Sequence, residues 1–186
     1  MIWPGDWSGP FLSGDLLRLL TEREYRPIEY STVLVQPIVG PSTPASVLTV
    51  REIDPAERQT WARVAGQGWS SESAELAGFV EAFGRIITNA EGVHCFLAER
   101  DGDAVAAATL CLHDGVALLA GASTIPSARR QGAQQALLDH RLHFARERGA
   151  DLAMVVTAPG SASQRNAERQ GFAVAYTRTK WKLHGS

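Results

Sequence analysis

Residues 116–157 read VALLAGASTIPSARRQGAQQALLDHRLHFARERGADLAMVVT, and this stretch decides the fold. Its apolar ends predict strands over residues 116–124 and 152–157. Between them, apolar residues at helical spacing predict a helix over about 131–148, and Gly149 stands where a left-handed C-terminal cap belongs. A strand, a loop, a helix and a buried strand in this order are typical of a mixed α/β domain.

The loop in this unit is the candidate ligand-binding segment. Its sequence ARRQGAQ (128–134) opens a helix, so several backbone N–H groups lack an intrahelical acceptor. Gly132 lets the main chain approach a ligand closely, and two arginines add positive charge. Such a terminus favours a pyrophosphate group through oriented donors and the helix dipole. A solvated loop that opens an ordinary helix is the alternative interpretation.

The flanking sequence continues the α/β pattern. Asp54, Pro55 and Glu57 resemble a capping box, which predicts a helix carrying Trp61 and Val64 on its apolar stripe. Apolar residues at three- and four-residue spacing from Leu76 to Ile87 predict a second helix. The remaining predictions are strands over 47–53, 93–99, 104–112 and 173–183, and a short helix within 161–170.

The N-terminal residues form a separate segment. SGDLLRLLTERE (13–24) predicts a short helix capped by Ser13, and IEYSTVLV (28–35) predicts a strand. Prolines and a glycine then break the periodicity. We predict a helix–strand appendage over residues 1–37, a linker over 38–45 and the main domain over 46–186. Exposed leucines and an unpaired strand both need a partner. We therefore expect residues 13–35 to lie against the main domain's sheet, or across a dimer interface.

A weak internal similarity suggests where this appendage comes from. Residues 22–32 (EREYRPIEYST) align with residues 168–178 (ERQGFAVAYTR), and both segments read as a helix end followed by a strand. One interpretation is that the appendage is the remnant of a preceding copy of the same unit. The other is a helix and strand added to the edge of the sheet.

Composition narrows the class of protein. The 186 residues carry a net charge of −2, which gives no reason to expect nucleic acid or an anionic membrane as partner. No apolar run approaches the ~20 residues of a membrane span, and the N-terminus lacks the features of a signal peptide. The two cysteines lie in apolar runs, and no Cys/His group has metal-ligand spacing. We expect a cytoplasmic protein that needs no metal.

The loop resembles motif A of the GNAT superfamily of N-acetyltransferases, which reads Arg/Gln-x-x-Gly-x-Gly/Ala after a strand and a proline. Pro126 precedes the loop here, and Gln134 replaces the family's small residue at the last position. NAERQGF (166–172) is similar to the family's second motif, and the resemblance covers roughly the last three-quarters of the chain. It implies the GNAT acyl-CoA N-acyltransferase fold: a mixed, mostly antiparallel sheet flanked by helices, with splayed parallel strands at the coenzyme site.

The resemblance also implies a coenzyme site for acetyl-CoA. In the family the pantetheine arm bonds to the main chain at the end of the first splayed strand, and loop amides hold the pyrophosphate. Residues of the following short helix face the far side of the coenzyme. The implied coenzyme-binding residues are Ser123, Thr124, Ile125, Arg129, Arg130, Gln131, Gly132, Ala133, Gln134, Ser163 and Asn166. For Ser163 and Asn166, helix capping and solvation is an equal alternative.

The implied reaction is direct attack of a neutral amine on the thioester, with a general base and a general acid. Ala167 occupies the position of the family's usual acid, a tyrosine, so Tyr176 is our candidate acid. Glu72 is the candidate base, with Glu75 as the other carboxylate considered, because their region borders the acceptor site in the family. The alternative for Tyr176 is a half-buried aromatic residue of a strand. The alternative for Glu72 is a solvated charge on a helix.

These implications lead to a hypothesis of an acetyl-CoA-dependent N-acetyltransferase acting on the primary amine of a small molecule. The alternatives are a protein or peptide N-acetyltransferase and a non-catalytic acyl-CoA-binding sensor.

Overall fold

The computed structural model describes residues 14–40 and 48–184. It contains seven strands and five α-helices in these ranges. The strands are β1 (Tyr25–Pro37), β2 (Thr49–Glu52), β3 (Val93–Arg100), β4 (Asp103–His113), β5 (Val116–Thr124), β6 (Leu152–Thr157) and β7 (Ala173–Leu183). The helices are α1 (Gly14–Glu22), α2 (Arg58–Gln67), α3 (Ala74–Ile87), α4 (Ala133–Glu147) and α5 (Ala162–Arg169). The predicted Ser13 cap and most of the predicted linker fall outside the described residues.

All seven strands form one mixed sheet in the order β2-β3-β4-β5-β6-β1-β7. Every neighbouring pair is antiparallel except β5 and β6, which are parallel. The long helix α4 connects these two strands, as a parallel crossover requires. This arrangement confirms the predicted fold class, a mostly antiparallel sheet flanked by helices.

The N-terminal strand β1 lies inside the sheet. It pairs with β6 over Thr32–Pro37 and with β7 along nearly its whole length. The expectation that this strand joins the main sheet is confirmed. The alternative of a strand added at the sheet's edge is wrong, because β1 has a hydrogen-bonded neighbour on both sides. Whether the appendage is the remnant of a preceding unit stays a prediction.

Helix α1, unlike the strand that follows it, is not buried in the domain. None of its residues is buried, and Leu17 is 54% exposed. The expectation that its leucines pack on the sheet is therefore not met within the described chain. The main-chain ladder of β1, rather than the side chains of α1, anchors the N-terminal segment.

The core has two layers, one on each face of the sheet. On one face, α4 packs Ala136, Leu137 and Phe144 against strands β3 to β6. On the other face, α2 packs Trp61, Val64 and Ala65 against Cys95, Leu97 and Ala107. The helix pair α2 and α3 approaches closely at Gly66 and Gly84, where a Cβ would meet backbone atoms of the partner helix at 2.7 Å and 3.2 Å.

The turn before α2 begins as the capping-box resemblance predicts. Pro55–Glu57 forms a short 3-10 turn, and the Asp54 N–H donates to the Glu57 carboxylate at 2.9 Å. Cys95 is buried and Cys111 is half-buried, and both are free thiols. Burial raises the pKa of the Cys95 thiol to about 12, so this thiol is inert at neutral pH.

Candidate active site

The parallel strands β5 and β6 separate halfway along their length. Their pairing covers only Val116–Leu118 on β5 and Leu152–Met154 on β6. Beyond it, β5 pairs with β4 alone and β6 with β1 alone. The facing edges therefore leave a gap in the sheet, with main-chain groups available to a ligand.

A cavity of about 540 Å³ lies at the β5 side of this gap. Its walls come from the end of β5, the loop before α4, the first turns of α5 and the segment between α2 and α3. The Ser123 side chain bonds to α2, whereas the Thr124 side chain bonds to α4 on the opposite face. Because both residues line the cavity, it passes through the sheet from one face to the other.

The loop before α4 presents a continuous set of donors to this cavity. Within the described chain, none of the N–H groups from residue 130 to residue 135 donates to another group. Arg130 and Gly132 have positive φ values of 59° and 84°, which turn the main chain so that successive N–H groups converge. No atom lies within 4 Å of the place where a Cβ on Gly132 would stand. This open cradle at a helix N-terminus suits a phosphate group.

Arg129 links the loop to α2. Its guanidinium donates to the Gly68 carbonyl at 2.6 Å and to the Thr124 carbonyl at 3.4 Å. The side chain is thus held by main-chain acceptors, while its positive charge remains at the cavity wall. Arg130 also lines the cavity and is exposed.

Gln134, which stands where the family motif has a small residue, makes a specific contact. Its Nε2 donates to Thr124 Oγ1 at 2.8 Å and so joins the start of α4 to the end of β5. The larger side chain therefore lines the cavity while it is bound to the strand that borders it.

The end of β5 has one residue well placed to bond a ligand. The Ile125 N–H donates to the Val105 carbonyl at 3.0 Å. Along an antiparallel pair of strands, residues whose main-chain groups bond to the partner strand alternate with residues whose groups point away from it. The N–H and C=O of Thr124 therefore point away from β4, towards the cavity, and those of Ser123 point towards β4. Ser123 contributes its hydroxyl instead, which donates to the Ala65 carbonyl at 3.0 Å.

Two of the predicted coenzyme residues lie outside the cavity lining. The Ile125 N–H and C=O are both used within the protein, by Val105 and Ala128, and its side chain packs in the core. Gln131 accepts from Arg100 and donates to the Ser127 carbonyl at 3.0 Å, so its side chain turns away from the cavity. The other predicted coenzyme residues all line it.

The first turns of α5 close one side of the cavity. Ser161, not Ser163, caps this helix by accepting from the Gln164 N–H at 3.1 Å. Ser163 and Asn166 lie on the cavity wall, and Asn166 also accepts from Arg169 on its own helix. The capping alternative for Ser163 is therefore wrong.

Glu72 and Trp69 form the opposite end of the cavity, on the α2 face of the sheet. They sit in the turn between α2 and α3, where the Glu72 N–H donates to the Trp69 carbonyl at 2.9 Å. Trp69 was not predicted as a site residue from the sequence, because a tryptophan in a turn without hydrophobic periodicity gives no pattern to recognise. Of the described residues that line the cavity, Glu72 is the one with a carboxylate.

Tyr176 is not brought to the cavity. It lies opposite Val33 on β1, and Val33 lies opposite Val156 on β6. Tyr176 is therefore two strand spacings from β6, or about 10 Å. Its side chain is 55% exposed and does not line the cavity. The insertion of β1 between β6 and β7 argues against the predicted role as general acid.

The fold and this cavity define an α/β domain with an open helix N-terminus beside a gap between parallel strands. The sequence profile of the acetyltransferase (GNAT) family matches residues 52–172. The chain belongs to this family. No curated protein matches it.

Several solved structures share the fold. A GCN5-related N-acetyltransferase from Kribbella flavida is 24% identical with a TM-score of 0.65, over 93% of this chain and 65% of that one. One from Sphaerobacter thermophilus is 20% identical with a TM-score of 0.63, over 90% and 55%. The aminoglycoside N-acetyltransferase AAC(6')-Iy in complex with CoA is 22% identical with a TM-score of 0.53, over 72% and 90%. The chain thus spans less than two thirds of the first two relatives.

No helix within residues 14–40 and 48–184 is long and apolar enough to cross a membrane.

Proposed function

We propose that this chain transfers an acetyl group from acetyl-CoA to the primary amine of a small molecule. The main supporting observation is the run of N–H groups from residue 130 to residue 135, which donate to no other group in the described chain and lie beside a cavity at the splayed end of β5. Membership of the GNAT family supports the reaction type. The similarity in fold to an aminoglycoside N-acetyltransferase supports a small-molecule acceptor.

In this proposal the coenzyme occupies the α4 side of the cavity. The loop amides and Gly132 hold its pyrophosphate, with the charge of Arg129 and Arg130 alongside. The main chain of Thr124 bonds the pantetheine arm as an added strand would. Ser163 and Asn166 border the coenzyme from α5.

The acceptor enters from the α2 side. An indole and a carboxylate at the cavity mouth, from Trp69 and Glu72, suit an ammonium group, through cation–π attraction and ion pairing. Glu72 then takes a proton from the ammonium, and the neutral nitrogen bonds to the acetyl carbon. The carbon–sulfur bond breaks, and the departing sulfur takes up the proton that the nitrogen loses. No side chain other than that of Glu72 is required for proton transfer in this scheme.

Calorimetry with acetyl-CoA tests the coenzyme site. Gly132→Asp adds a carboxylate and a Cβ where the pyrophosphate approaches, and we expect affinity to fall at least tenfold. Gly149→Asp is the matched control. Gly149 also has a positive φ, at the other end of α4, and its Cβ position is equally open. Both variants carry the same backbone strain, so equal affinity in the two would contradict the proposal.

A non-catalytic acyl-CoA sensor is the second candidate. It is favoured by Ala167, at the position of the family's usual acid, and by the distance of Tyr176 from the cavity. Turnover of acetyl-CoA with a panel of small amines distinguishes the two functions, because a sensor binds acetyl-CoA without consuming it. A peptide array in the same assay tests for a protein or peptide acceptor.

A further inference from the structure

Arg141 on α4 is a buried cation that has no carboxylate partner among residues 14–40 and 48–184. Its side chain is 4% exposed, and its guanidinium bonds only main-chain carbonyls. Nε donates to Leu137 O at 3.1 Å, and one terminal nitrogen donates to Thr109 O at 3.0 Å and to Ala120 O at 3.3 Å. Burial lowers the pKa of Arg141 to about 10, so the group still carries its charge at neutral pH. A lone buried charge is costly, which calls for a reason beyond packing.

The two strand carbonyls mark a break in the sheet. The register between β4 and β5 shifts between Ala107 and Thr109, and Gly121 and Ala122 have no partner on β4. They have none on β6 either, because that pairing ends at Leu118. Gly121 has φ +57°, and a Cβ there would stand 3.0 Å from Thr109 Oγ1. This bulge lies where β5 enters the cavity, and Ala122 lines it.

We propose that Arg141 is a positioning residue for acetyl transfer, which holds the main chain of Gly121 and Ala122 in contact with the acyl end of acetyl-CoA. The inference rests on the proposed function. By bonding the carbonyls of Thr109 and Ala120, the guanidinium fixes the bulge from the α4 side. Ala122 lines the cavity, so the bulge that the guanidinium fixes then borders the acyl end of the coenzyme. The positive charge behind this bulge favours the negative charge that develops on the thioester carbonyl oxygen.

The test compares Arg141→Lys and Arg141→Met with Arg148→Met. Arg148 is the residue directly after α4; it lies over the Phe144 ring and does not line the cavity. The probes are CoA affinity, the infrared carbonyl stretch of bound ¹³C-acetyl-CoA, and the slow hydrolysis of acetyl-CoA without an amine. We expect both Arg141 variants to shift the stretch towards that of free acetyl-CoA and to slow hydrolysis about tenfold or more. CoA affinity should stay within about threefold, because the phosphate-binding amides are untouched.

Gly121→Ala provides a second, independent perturbation of the same bulge, in case Arg141→Met does not fold. It should produce the same shift of the carbonyl stretch. An unchanged stretch and hydrolysis rate in Arg141→Lys and Gly121→Ala would overturn the inference. So would a parallel loss of CoA affinity and melting temperature, which indicates a structural role alone. Failure of the wild-type protein to bind acetyl-CoA would instead contradict the proposed function.

Discussion

At the scale of single residues, Gly68 determines how closely α2 approaches β5. A Cβ at this position would stand 2.5 Å from Ser123 Cβ and 3.1 Å from the Thr124 backbone nitrogen. The Gly68 carbonyl also accepts from Arg129 at 2.6 Å. One glycine thus brings together the helix, the strand and the loop that border the cavity.

Gly68→Ala should destabilise the protein by about 1–3 kcal/mol, because the clash involves Cβ and backbone atoms that cannot move separately. Acetyl-CoA affinity should fall with it. Gly78→Ala is the matched control, since its Cβ position is open and it lies within α3. There, loss of a helical glycine should stabilise by about 0.5–1 kcal/mol. Urea unfolding measures both, and equal effects of the same sign would contradict the packing argument.

The roles of Glu72 and Tyr176 are separable by kinetics once an amine acceptor is found. Glu72→Gln should lower kcat by about 10² with little change in acetyl-CoA affinity, as for a lost general base. Glu75→Gln, on the neighbouring turn but outside the cavity lining, is its control. Tyr176→Phe should keep kcat within about twofold, because β1 separates its strand from β6. A hundredfold loss in Tyr176→Phe would restore the sequence-based assignment of the general acid.

At the scale of elements, an ion-pair network joins the turn before α2 to strands β2 and β3. Arg51 donates to the Glu57 carboxylate at 2.6 Å and 2.7 Å and to Glu99 at 2.6 Å. The hydrogen bonds from Arg51, with a smaller contribution from the Asp54 N–H, lower the pKa of Glu57 to about 2. This network holds the start of α2, and therefore Trp61 and Gly68 further along it.

The lowered pKa of Glu57 predicts a pH-dependent contribution to stability. A carboxyl whose pKa falls on folding stabilises above its unfolded pKa of about 4.5, and the contribution is lost as pH falls towards 2. At pH 7, Glu57→Gln should therefore melt at a lower temperature than the wild type. Its free energy of unfolding should be lower by up to about 1 kcal/mol, because the ion pair is partly exposed. The difference should vanish near pH 2. Melting curves at several pH values test this, and a difference that persists at pH 2 would exclude the ion pair as its cause.

At the scale of the whole molecule, the sheet depends on its N-terminal strand. Without β1, the hydrogen-bonding edges of both β6 and β7 are open, and β7 loses its one neighbour in the described chain. Buried side chains of β1, Val33 and Leu34, leave the structure at the same time. The strand β1 is thus tied to the domain by hydrogen-bonded ladders rather than by a surface patch.

Two deletions separate the strand from the helix that precedes it. Removal of residues 1–40 should abolish cooperative unfolding and cause aggregation, because two exposed edges and an opened core result. Removal of residues 1–23, which takes away α1 but leaves β1, should shift the melting temperature by a few degrees. Calorimetry and size-exclusion chromatography report both outcomes. A folded, monodisperse 41–186 fragment would show that β1 is dispensable.

The sequence by itself determined local structure: where strands, helices and the candidate ligand-binding loop lie along the chain. The periodicity of residues 116–157 predicts β5, α4 and β6 to within two residues, and Gly132 with its neighbours marks the loop. Hydrophobic spacing and helix-terminus chemistry act over a few residues, so they can be read without the fold. Sheet order, the gap between β5 and β6 and the burial of Arg141 arise from contacts between distant segments. Only the tertiary structure could decide them. Because β1 enters between β6 and β7, it separates Tyr176 from the cavity, while the packing of α2 on β5 brings Trp69 to it.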